Sequence, residues 1–133
     1  MIVLMALATV ATVAGPGHGT PSCVIGDYMS VCNFVPARSG AYRIASDAQA
    51  VAKGVGPHGL STEYEINGAK CKGEGRWNGR AGTASAPCVV RLEARRFYHI
   101  VAVAQAKGAD RRGVVGLAIE ASSQAPTLAV DPW

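Results

Sequence analysis

The sequence predicts an all-β fold: an antiparallel β-sandwich of jelly-roll type with seven or eight strands and two disulfides. Three observations predict it: apolar runs that alternate with period two, turn residues between them at intervals of about 8–12 positions, and four cysteines. The composition agrees. Of 133 residues, 49% are hydrophobic but only 6% aromatic, and 16 are glycine, which suits thin strands and tight turns better than thick helical packing. The length allows one domain. Its expected parts are residues 1–14 as a leader, 15–22 as a linker, 23–121 as the sandwich and 122–133 as a C-terminal tail.

Residues 1–14, MIVLMALATVATVA, form an uncharged apolar run that stops at Gly15-Pro16-Gly17-His18-Gly19. The run is shorter than the roughly 20 residues a membrane span needs, so no stable transmembrane span is expected. Thr12 and Ala14 stand at the small-residue positions of a signal-peptidase site, and the expectation is a signal peptide cleaved after Ala14. A leader normally opens on Lys or Arg, whereas the first positive charge here is Arg38. A second reading therefore keeps the segment and uses residues 8–13 as a strand that pairs with an open sheet edge of a neighbouring subunit. The place predicted is secreted, periplasmic or cell-surface.

Cys23, Cys32, Cys71 and Cys88 make an even number in a chain read as exported, where thiols oxidise to disulfides. The spacings contain no Cys-x-x-Cys, and His18, His58 and His99 stand apart from the cysteines, so neither zinc nor any other metal or cofactor is expected. Three connectivities exist. Pairing Cys23 with Cys32 and Cys71 with Cys88 is favoured because each pair brackets a turn-rich segment.

Residues 28–35 carry a strand pattern ending at Pro36, and Arg38-Ser39-Gly40 makes a turn into a second strand over 41–45, so these two are expected to form a hairpin. Residues 47–53 alternate as a third strand, with a short helix as the competing reading. The clearest local signal follows. Residues 61–66 and 69–72 are joined by Asn67-Gly68, the pair that supplies the two positive φ angles of a type I′ hairpin turn. Residues 73–87, rich in Gly, Ala and Ser, read as a loop, and 88–94 as a half-buried strand. Both faces of 97–106 are nearly apolar, which marks a central strand, and 113–121 closes the set with Val115, Leu117 and Ile119 inward. A tail follows, in which Trp133 folds back over apolar surface.

Function is less legible than fold. Thirteen basic and nine acidic residues leave a formal charge of +4 scattered along the chain, a solvated surface with no basic stripe, so no nucleic-acid partner is expected. No Gly-x-Ser-x-Gly elbow surrounds a serine. Glu63, Glu65, Glu74 and Glu93 hold the alternating positions of exposed strand residues, not the facing pair of a glycosidase. His99 reads as a face-lining or core histidine with a hydrogen-bond partner. No catalytic residue is assigned. The one aromatic site that reads as exposed is Gly75-Arg76-Trp77-Asn78-Gly79-Arg80, inside the expected Cys71–Cys88 loop. A tryptophan between arginines and an asparagine can stack on a sugar ring while its neighbours bond hydroxyls or a carboxylate. Arg76, Trp77, Asn78 and Arg80, with Tyr64 on the neighbouring hairpin, are the candidate ligand contacts; the competing reading has Trp77 plug the end of the sandwich.

The order Phe34-Val35-Pro36, Ser39-Gly40-Ala41-Tyr42-Arg43-Ile44, Ile66-Asn67-Gly68, Val90-Arg91-Leu92-Glu93-Ala94 and Phe97-Tyr98-His99-Ile100 resembles the extracellular jelly-roll modules that include many carbohydrate-binding domains. Arg95-Arg96 stands where those modules carry glycine before the tyrosine strand. The resemblance covers most of the chain after the leader and implies the fold and a glycan or other cell-surface ligand. Two functions are therefore carried forward: a non-catalytic secreted binding module for glycans, and a structural subunit of an extracellular appendage, self-assembled through the N-terminal strand or a sheet edge.

Overall fold

The structure, a computed structural model, describes residues 17–50, 58–77, 82–106 and 113–130. Its strands are β1 (Ser22–Ile25), β2 (Met29–Phe34), β3 (Gly40–Ala50), β4 (His58–Ile66), β5 (Ala69–Trp77), β6 (Gly82–Leu92), β7 (Tyr98–Ala106) and β8 (Gly113–Ala121). Hydrogen bonding runs in the order β1-β2-β7-β4-β5-β6-β3-β8, antiparallel throughout. Between β5 and β6, however, only Arg76↔Thr83 and Trp77↔Gly82 pair. There the ribbon folds over itself. One layer, β1-β2-β7-β4-β5, faces the other, β6-β3-β8, and the chain is an antiparallel β-sandwich with two disulfides.

Period-two alternation fills the space between the layers. Phe34, Tyr64, Ile66, Tyr98 and Ile100 from the larger sheet meet Tyr42, Ile44, Val90, Leu92, Leu117 and Ile119 from the smaller, all buried. Each large side chain so enclosed contributes roughly 1.5–3 kcal/mol. Asn67 and Gly68 take φ of 47° and 95°, the type I′ turn read from the sequence. The Asn67 Oδ1 also accepts the His99 backbone N–H at 3.1 Å, fastening the hairpin to β7.

Four expectations change. β2 and β3 do not form a hairpin: β2 pairs with β1 and β7, β3 with β6 and β8, so the chain crosses between layers after Pro36. That crossing is held by the Arg95 N–H donating to the Pro36 carbonyl at 2.9 Å. Residues 73–87 are not a loop; their described part belongs to β5 and β6. A strand, β1, forms where the domain was expected only to begin. It adds to β2, not to β8, so the strand order departs from that of a complete jelly roll. Finally, residues 17–21 are not a free linker. The His18 ring lies edge-on to Tyr42 with its Nδ1 3.2 Å from the phenol oxygen, the His18 carbonyl accepts the Ala37 N–H at 2.9 Å, and Pro21 is buried.

At the other terminus Leu128 and Val130 pack on the core, and the N–H groups of Thr127 and Leu128 donate to the Val89 carbonyl at 2.7 and 3.2 Å. The tail thereby covers part of the edge of β6, which would otherwise invite pairing with another chain. Trp133 lies outside the described residues.

Among the described residues, the polar side chains buried between the layers are hydrogen-bonded with one exception. Ser30 donates its hydroxyl to the Val115 carbonyl, and the Thr62 and Ser46 hydroxyls share a hydrogen bond at 3.0 Å. Tyr64 is fully buried, and its hydroxyl has no hydrogen-bond partner among the described residues. Burial pushes its ionisation above the ordinary value of 10.0, against a smaller opposing effect of Arg43. Tyr64→Phe is therefore expected to stabilise the protein by about 1 kcal/mol, because it removes an unsatisfied polar group. The sign with pH follows: the phenol stays neutral in the folded state where the unfolded chain already ionises, so wild-type stability holds below pH ~10 and falls above it. Tyr42, whose ionisation burial also raises, keeps part of that alkaline loss in the variant. Urea unfolding at pH 7 and 11 checks both points, and a less stable Tyr64→Phe at pH 7 refutes the first.

Candidate functional site

The Asn67-Gly68 turn sets Ile66 opposite Ala69, and counting outward puts Glu65 opposite Lys70, Glu63 opposite Lys72 and Ser61 opposite Glu74. On the other side of β4, β7 sets Gln105 against Ser61, Ala104 against Thr62 and Val103 against Glu63. Odd-numbered positions of β4 and β7 and even-numbered positions of β5 face outward. The result is a shallow cleft of about 220 Å³ on the outer face, lined by Ser61, Thr62, Glu63, Lys72, Gly73, Glu74, Val103 and Gln105.

The lining follows from the strands. Thr62 turns inward, where its hydroxyl lies 2.9 Å from the Val103 carbonyl, and Gly73 presents no side chain. The rim is a hydroxyl, two carboxylates, an ammonium and an amide, set about 5 Å apart across the strands and 7 Å along them. Such a rim offers several acceptors and donors at fixed spacing to a polyhydroxylated ligand. It contains no cysteine or histidine, and no group of three His, Cys, Asp or Glu residues among those described is placed to hold a metal ion.

The residues expected to bind ligand fall in three places. Arg76 and Trp77 end β5, their backbones opposite Gly59 and His58 of β4 and Thr83 and Gly82 of β6; their side chains, and Asn78 and Arg80 altogether, lie outside the described residues. Trp77 thus follows three positions after Glu74 on the strand that forms one wall of the cleft. Tyr64 must be withdrawn from the contact set: its ring is sealed in the core, opposite Cys71 and Ala102 in register. The stem of the Trp77 segment is tied by Cys71–Cys88, as expected, with 6.2 Å between Cα atoms; Cys23–Cys32 joins β1 to β2.

His99 lines the outer face of β7, its Nδ1 donating to the Asn33 Oδ1 at 2.7 Å. Glu93 is engaged structurally: it accepts from Arg91 Nε at 3.0 Å and from the Ser39 hydroxyl at 3.2 Å. The sequence reading assigned Glu63 and Glu74 to plain surface and missed Ser61 and Gln105. The signal for the β4–β5 half of the cleft was available, since a two-residue turn fixes every pair across the hairpin. Nothing local announced the β7 wall.

The described residues contain no helix long and apolar enough to cross a membrane. Two disulfides agree with an oxidising compartment. Comparison with protein-family models, with curated proteins and with solved structures finds no match.

Proposed function

We propose that the protein is a secreted, non-catalytic β-sandwich binding module whose ligand is a glycan. The observation that carries the reading is the cleft on the outer face, whose rim of Ser61, Glu63, Lys72, Glu74 and Gln105 offers closely spaced donors and acceptors of the kind that bond sugar hydroxyls. Sugars bind through many weak polar contacts on a preformed surface, and two strands on either side of β4 preform this one. Arg76, Trp77, Asn78 and Arg80 follow Glu74 in sequence, and in this reading Trp77 is the aromatic that stacks on a sugar ring. Export rests on the apolar residues 1–14 and on the disulfides. The jelly-roll resemblance points the same way.

A glycan array probed with wild type, Trp77→Ala and Lys72→Ala/Glu74→Ala tests this. Wild type is expected to bind a subset of glycans, and each variant to lose roughly tenfold in affinity, the loss of one aromatic or two polar contacts. No binding by wild type to any glycan removes the proposal. A second reading, a structural subunit joined through its N-terminal strand or a sheet edge, is favoured by β8, whose residues 117–121 are paired only to β3 among the described residues. Fibres or rings on sizing would favour this second reading.

A further inference from the structure

β7 is central in its sheet, yet Phe97, Val101 and Val103 leave much of its outer face apolar and open. Val24, Met29, Val35 and Phe97 are 75%, 51%, 49% and 52% exposed, the large apolar side chains left most in solvent among the described residues. All four lie on one face. Val24 of β1 stands opposite Val31 of β2, which stands opposite Val101 of β7; Met29 stands opposite Val103. Val35 and Phe97 follow one step beyond the Phe34↔Tyr98 pair, and the Asn33–His99 hydrogen bond fills the row between. A sheet face solvated for its own sake would carry polar residues at these positions, as β4 and β5 do with Glu63, Glu65, Lys70, Lys72 and Glu74.

The charges at the two ends of this apolar face are opposite. Exposed Arg95 and Arg96 precede Phe97 at one end, while Glu63 flanks Val103 at the other. A surface with that polarity complements itself when reversed. We propose that this face binds a second copy of the chain, sheet on sheet, about a two-fold axis that crosses the strands and sets β7 against β7 with strands antiparallel. That arrangement brings Arg95 and Arg96 of one copy to the partner's Glu63. The alternative axis, along the strands, stacks arginine on arginine and carboxylate on carboxylate. Twisted sheets pack about 10 Å apart at around 30°, and a two-fold pairing uses the same patch twice.

Three strands about 4.8 Å apart over the ~20 Å from Met29 to Val35 give a projected area near 300 Å². That is well under the ~800 Å² per partner of a tight interface, so the dimer is reversible, with a dissociation constant of micromolar order or weaker. Glu63 and Val103 also line the cleft, so dimerisation competes with ligand there. The inference does not rest on the glycan reading, and its test is run without glycan.

Sedimentation of the purified protein from micromolar to millimolar concentration, at low and high salt, reads it directly. Wild type is expected to show a monomer–dimer equilibrium that weakens with salt. Val24→Lys and Phe97→Ser, both at exposed positions and checked for folding by circular dichroism, are expected to weaken it at least ~10-fold. Arg96→Glu and Glu63→Arg are each expected to weaken it, and together to restore it. A chain monomeric at millimolar concentration, or a dimer indifferent to Val24→Lys and Phe97→Ser, overturns the proposal. A dimer that the Arg96/Glu63 exchange does not rescue overturns the antiparallel arrangement and with it the proposal.

Discussion

Gly75→Ala is expected to destabilise the protein by about 3 kcal/mol or more, and Gly73→Ala/Gly75→Ala to prevent folding. A Cβ on Gly75 would sit 1.8 Å from the Thr83 carbonyl oxygen and 2.8 Å from the Ala84 Cα; on Gly73, 1.8 Å from the Ser85 oxygen and 2.9 Å from the Ala86 Cα. Every one of those atoms is backbone, so no side chain can swing aside. β6 leaves its pairing with β5 after Thr83 and passes directly over these two glycines to enter the opposite layer. Restoring contact distance would move one strand against the other by more than 1 Å. The Arg76↔Thr83 pair, the Cys71–Cys88 bond and the β3–β6 ladder all oppose that shift. Overpacking in a yielding core costs about 1–3 kcal/mol; a clash with paired backbone on both sides lies at or above that range.

The control is internal. Gly59 and Gly116 also lie in strands, but a Cβ there meets nothing within 4 Å, so Gly59→Ala and Gly116→Ala are expected to change stability by no more than about 0.5 kcal/mol. Chemical denaturation of the four variants separates close approach from any general effect of glycine in strands. Equal losses at Gly59 and Gly75 would sink the argument.

The same corner marks where the sequence stops being legible. Alternation within 98–106 and 113–121 defines two strands because the buried and solvent faces differ in composition, and Asn67-Gly68 defines the β4–β5 hairpin because only positive φ fits its turn. Such signals are local. They say which side of a strand faces the core, not which sheet the strand joins, so the division of β2 and β3 between layers could not be read from residues 28–45. Lys72-Gly73-Glu74-Gly75 looks like loop composition for a physical reason: the glycines serve a strand crossing over Thr83 and Ser85, eight and twelve positions away. Arg95 sits at φ 67°, a left-handed position where glycine is the usual choice, within the turn between β6 and β7.

Part of the site was readable and part was not. Leu60, Thr62, Tyr64 and Ile66 alternate against Ser61, Glu63 and Glu65, so the burial of Tyr64 was legible, and grouping it with the Trp77 segment runs against that alternation. The cleft needed β7 beside β4, a pairing between residues forty positions apart that no turn encodes. The apolar outer side of β7 was legible as apolar, and the central position it marked is the one the strand takes, between β2 and β4. One face packs the core and the other is open.

Cys71→Ala/Cys88→Ala is expected to cost about 3 kcal/mol, more than Cys23→Ala/Cys32→Ala. On chain entropy alone the two bonds differ little, since their sequence separations are 17 and 9, equivalent to roughly 3 and 2.6 kcal/mol. Their places in the fold separate them. Cys23 and Cys32 sit directly opposite each other on strands already held by a four-residue ladder at the sheet edge. Losing that bond leaves the hydrogen bonds to keep β1 in place. Cys71 is 2% exposed and joins β5 to β6 where the strands no longer pair, so the bond is a covalent tie between layers beside the glycine crossing. A domain that depends on this tie should lose on the order of 15 °C in melting temperature, taking about 4–8 °C per kcal/mol for a domain of this size or slightly smaller. The loss should extend to the cleft, because Lys72, Gly73 and Glu74 follow Cys71 on the wall the bond anchors. Removing Cys23–Cys32 touches no cleft residue and should leave ligand affinity unchanged. A larger melting loss from the Cys23–Cys32 variant would show that the β5–β6 corner is not the weak point of the fold.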